Sequence, residues 1–126
     1  MRIEQLHPDS TPFKDGKTHR AGAWSAVDSM SSQGWTRLRQ VYHYNTLMLE
    51  FASQHYERPE RDGAWVVDPI SLGHGSVSDQ QGVNQLLRGT GWYYSRQGGA
   101  QYVAKPGYHR AFGIGAPAPI IEEQAS

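Results

Sequence analysis

The chain has 126 residues, enough for one domain with one hydrophobic core, and its twelve basic side chains balance twelve acidic ones. That neutrality argues against a general nucleic-acid binder and equally against an acidic DNA mimic, although a local patch can hide in a neutral total. Cysteine is absent, which excludes disulfides, thiolate zinc sites and a cysteine nucleophile.

Mean hydropathy is −0.67, yet most large apolar residues fall between Trp35 and Val103. The first ten residues lack the apolar stretch of a signal peptide, and no run approaches a membrane span. A non-secreted, cytoplasmic protein with no membrane partner is expected.

In chain order, residues 1–21 read as an extended N-terminal arm, because Pro8, Pro12 and Gly16 interrupt any helical period. From Ala21 to Ser32, Ala23, Trp24, Ala26, Val27 and Met30 trace a short helical face, which Gly22 and the serines weaken. Arg37 to Tyr44 reads as a strand, with Leu38, Tyr42 and Tyr44 on one face and Arg37, Val41 and His43 on the other. Leu47, Leu49 and Phe51 alternate with Met48 and Glu50 in a second strand, or in a continuation of the first through a bend at Asn45. A polar loop over 53–63 ends in an Asp62-Gly63 turn, and Ala64 to Ile70 forms a third strand halted near Pro69.

The clearest helix starts at Ser78, read as the N-cap with Gln81 completing a capping box. Val83, Leu86 and Leu87 form its buried stripe, and Gly89 and Gly91 stop it. Trp92–Ser95 and Ala100–Ala104 read as a hairpin around Gln97-Gly98-Gly99. Residues 106–126, rich in Pro and Gly, read as a C-terminal arm. The expected fold is α+β: a small antiparallel sheet in the order β-β-β-α-β-β with one main helix packed on it, over residues 22–105.

Site chemistry is sparse. The Gly73–Asp79 segment enters a helix, where free amides can hold an anion, but it matches no phosphate-binding motif and already carries Asp79. The six histidines lack metal-ligand spacing, so no metal or cofactor is expected. His74, Ser76 and Asp79 supply hydrolytic residue types at a spacing too short for a triad, with no nucleophile elbow, so no catalysis is expected. Tyr42, Tyr44, Trp92, Tyr93, Tyr94 and Tyr102, with Arg37, Arg39 and Arg96 nearby, fit three readings: core filling, a protein interface, or a stacking platform for single-stranded nucleic acid. The candidate binding residues are Tyr42, Tyr44, Trp92, Tyr94, Arg96, His74 and Ser76.

Two strings, His43 to Met48 and Gly75 to Leu87, are followed by Tyr94-Ser95-Arg96-Gln97-Gly98-Gly99-Ala100. Over residues 35–104 this order resembles a group of short proteins encoded by bacteriophages of actinobacteria. The resemblance implies a phage origin and carries no activity or residue role. The expectation is an accessory protein that binds a host or phage macromolecule without catalysis. A virion subunit that assembles through its arms is one competitor, and a single-stranded nucleic-acid-binding module is another.

Overall fold

The computed structural model describes residues 1–32, 36–53, 65–73, 75–97, 100–106 and 111–112. A short 3-10 turn, Ile3–Leu6, precedes five strands: β1 Thr18–Ala21, β2 Trp24–Met30, β3 Arg37–His43, β4 Thr46–Ser53 and β5 Trp65–Pro69. Helix α1, Val77–Leu87, follows, then β6 Tyr93–Gln97, β7 Ala100–Ala104 and β8 Ala111–Phe112. Strands β1 to β5 form an antiparallel meander in sequence order, and β6 to β8 form a second, three-stranded antiparallel sheet. The class is α+β with antiparallel sheets and one helix, as the residue pattern predicts.

The order differs in detail. Ala21–Ser32 is not helical: Trp24, Ala26 and Asp28 alternate inward along β2 with a period of two. The N-terminal segment is not an arm either. Leu6 is fully buried and β1 closes one edge of the larger sheet, so 1–21 belongs to the domain. At the other end, Ala111–Phe112 pairs with β7, which carries the sheet past the expected boundary at 105. Residues 107–110 and 113–126 lie outside the described residues, as do the Asp62-Gly63 and Gly98-Gly99 turns.

β3 and β4 are a hairpin closed by Tyr44-Asn45, with His43 opposite Thr46. The register slips between Val41–Leu49 and Tyr42–Leu47, which leaves Met48 as an extra residue. The bulge turns both Met48 and Leu49 into the core, so the simple alternation expected there fails. One cluster joins Leu6, Trp24, Val41, Met48, Leu49, Phe51, Leu72, Val83, Leu86, Leu87, Trp92 and Val103, uniting sheet, helix and second sheet.

What holds the N-terminal segment down is a buried ion pair. Arg39 and Asp28, paired across β2 and β3, are both fully buried. Arg39 Nε donates to Asp28 Oδ1 at 2.6 Å and Nη2 donates to Oδ2 at 2.8 Å. The remaining donors reach the carbonyls of Leu6 (2.9 Å), Thr11 (2.8 Å) and Pro12 (3.2 Å). All five guanidinium N–H groups are therefore used, the condition under which a buried arginine is tolerated. Asp28 Oδ2 also accepts the Lys14 amide at 2.9 Å and His19 Nε2 at 2.8 Å. His19 Nε2 and Arg39 Nη2 are thus two donors converging on one carboxylate.

Candidate functional site

The connection from β5 to α1 is pinned to the sheet by the Ile70 and Leu72 amides, both donating to the Met48 carbonyl. Leu72 then takes φ 56°, and Gly73 (φ 68°) and Gly75 (φ 75°) continue the left-handed course. That conformation costs a non-glycine residue about 1–2 kcal/mol, which the complete burial of Leu72 offsets. The helix begins earlier than Ser78. Ser76 is the N-cap, its Oγ accepting the Asp79 amide at 3.2 Å. This correction places Asp79 at the third helical position, where it turns its carboxylate back into the fold.

Asp79 Oδ1 lies 2.6 Å from His43 Nδ1, and both side chains are about nine-tenths buried. The Trp24 indole stacks on the imidazole with centroids 4.4 Å apart and planes 10° apart, while the Tyr44 ring lies 4.7 Å away. Trp24 also packs against α1 at Gly82, where a Cβ would collide with the indole. With Nδ1 turned to the carboxylate, Nε2 is the second ring nitrogen of His43. Nε2 bonds to no described residue.

The same loop is tied to the second sheet. Gln101 Nε2 donates to the Gly73 carbonyl at 3.1 Å, and the Tyr94 hydroxyl donates to Gln101 Oε1 at 2.6 Å. Arg96, exposed, reaches the Gly75 carbonyl at 3.4 Å, and Gln80 Nε2 donates to that carbonyl at 2.6 Å. Glycine at 75 suits its φ of 75°, and a Cβ there would overlap the exposed Arg96 guanidinium and make it move aside. The expected anion position is filled from within: a Cβ at Gly73 would come 2.6 Å from Asp79 Oδ2.

The predicted site residues therefore divide. Ser76 ends the β5–α1 connection as the N-cap, Tyr94 reaches it through Gln101, Arg96 reaches it at the Gly75 carbonyl, and Tyr44 leans on His43. Tyr42 sits with Leu38 and Gln40 on the half-exposed face of β3, and Trp92 is a core residue, 7% exposed. His74 lies outside the described residues. Sequence reasoning missed Trp24, Gln101 and the joining of His43 to Asp79, which are 36 positions apart. The inward face of β3 and the Ser76-to-Asp79 spacing were the available signals, and neither shows that the two residues meet.

No protein-family model, curated protein or solved structure matches this chain. Among the described residues, no helix is long and apolar enough to cross a membrane, and no three His, Asp or Glu side chains gather to hold a metal.

Proposed function

We propose that this is a small phage-encoded accessory protein that binds a protein of the host or phage in the host cytoplasm, with no catalytic step of its own. The phage origin rests on the resemblance of residues 35–104. The binding reading is carried by Tyr44, which is 73% exposed at the tip of the β3–β4 hairpin with φ 53°. A tyrosine there sacrifices about 1–2 kcal/mol that Asn or Gly would spare. Its amide donates to the Ala23 carbonyl at 2.7 Å and its ring leans on His43, so the side chain is presented from a rigid base. Pre-organised tyrosines at the centre of a contact are frequent binding hot spots. The Asp79–His43 pair serves in this reading as the support, joining the helix to the hairpin beneath Tyr44.

Tyr44→Asn separates binding from folding, because asparagine tolerates the left-handed turn. The variant is expected to melt at or slightly above the wild-type temperature and to lose the partner. The measurement is capture of partners from an actinobacterial lysate, with and without nuclease, on both forms. One protein held at defined stoichiometry by wild type and lost by Tyr44→Asn supports the reading. Equal capture by both forms removes Tyr44 from it. If nothing is captured and the chain is instead found in purified particles, the virion-subunit reading replaces it. That reading would have to work without a free N-terminal arm, since residues 1–21 are built into the domain.

A further inference from the structure

A second cluster lies at the end of the inner sheet face, one row beyond the buried Arg39. Arg37 precedes Arg39 by two residues, so it shares that face at the sheet margin. Its amide donates to Ser53 Oγ at 3.0 Å, and Ser53 pairs with Trp65 across β4 and β5. Phe13, from the N-terminal segment, covers the same corner. The Arg37 guanidinium lies 5.3 Å from the Trp65 ring centroid and 6.0 Å from that of Phe13, and the two rings are 6.3 Å apart, tilted by 36°.

The two arginines differ in one respect. Arg39 satisfies every N–H group within the fold. Among the described residues, Arg37 makes no side-chain hydrogen bond or ion pair. Arg37, Phe13 and Trp65 are each half-buried, so part of each residue is open to solvent. Aromatic neighbours and a strand backbone restrain the guanidinium, so little side-chain freedom is lost when an oxyanion takes its fork. Lys14 adds an exposed cation next to Phe13 in the chain, and Asp28, on the neighbouring strand, is already engaged by Arg39.

We propose that Phe13, Arg37 and Trp65 form a binding site for a nucleotide unit, with the phosphate on the guanidinium and the base stacked on the aromatic pair. An acidic peptide would use the cation alone. A nucleotide uses both halves of the cluster, since every base offers a flat face and every unit a phosphate. The zero net charge then means weak, local binding with little long-range attraction. The site shares no residue with the Tyr44 face and does not depend on it.

The test titrates the full-length protein, followed by amide chemical shifts, with adenosine monophosphate, a short oligothymidylate and a glutamate-only peptide. Saturable shifts around residues 13, 37 and 65 are expected with a nucleotide probe. Stronger binding of the oligothymidylate identifies a single strand as the source, and equal binding of the monophosphate identifies a free nucleotide. A single phosphate contact should give a slope near about −0.7 in log affinity against log salt. Arg37→Lys keeps the charge but loses the fork and should weaken binding by about tenfold. Trp65→Leu tests the stacking half, and Arg37→Lys still reports if Trp65→Leu fails to fold. The proposal is overturned if neither nucleotide probe binds, if Arg37→Lys binds as wild type, or if the glutamate peptide binds as well as the nucleotides.

Discussion

Gly82 shows how one residue's environment can reverse a general preference. Inside a helix, glycine is about 1 kcal/mol worse than alanine, so Gly82→Ala would ordinarily stabilise α1. Here the added methyl group would enter the Trp24 indole. The indole is also stacked on His43, itself fixed by Asp79, which resists its retreat. Overpacking of this kind costs about 1–3 kcal/mol, more than the helix gains. Gly82→Ala is therefore expected to lower stability by about 1 kcal/mol or more in urea unfolding. A variant more stable than wild type would show that Trp24 has a second low-energy packing. Nothing local marks Gly82 in the sequence, since its reason is a tryptophan 58 positions away.

At the level of elements, the readable features were those whose determinants sit in one short window. The α1 stripe of Val83, Leu86 and Leu87, the left-handed Gly89 after it and the β6–β7 hairpin all follow local rules. β2 escaped, and within β3, which does read as a strand, the burial of Arg39 escaped with it, because the two inward partners are charged. β2 buries Asp28 and β3 buries Arg39, and each reads as solvent-facing until the other strand is placed beside it. The start of α1 was misplaced for a related reason. Ser76 and Ser78 both offer capping chemistry, and Asp79 decides between them by turning toward His43. Ser76→Ala should cost about 0.5–2 kcal/mol, and Ser78→Ala, exposed within the first turn, should cost much less. Comparing the two variants by thermal melting settles the start, and a larger loss at Ser78 would move the cap back.

The whole molecule depends on how its first 21 residues are held, and that attachment is charged. Burial raises the Asp28 carboxyl, but hydrogen bonds from Arg39 and His19 and the Lys14 amide outweigh it and hold it below its ordinary 3.8. A group depressed in the folded state contributes stability above its unfolded value, and that stability is lost as pH falls through the folded one. Below about pH 4, then, protonation releases the contacts through which Arg39 holds the carbonyls of Leu6, Thr11 and Pro12. His7 has the same sign in a higher window. Burial lowers it from 6.5, Arg39 adds to the lowering, and Asp9 opposes both. Its Nδ1 accepts the Asp9 amide at 3.0 Å, a bond that a proton on Nδ1 would break. Its ring also packs edge-on against Phe51, with centroids 4.7 Å apart. Asp68, raised by partial burial and by Glu50 opposite it, has the reverse sign, but it is exposed and its effect is small. Thermal stability should thus fall gently as pH drops below 6.5 and steeply below about 4. His7→Gln, which cannot titrate, should remove the gentle slope and leave the steep one. If the variant keeps the gentle slope, another group carries it. If amide exchange near Leu6 does not quicken along with the steep loss, the Asp28–Arg39 pair is not what fastens the N-terminal segment.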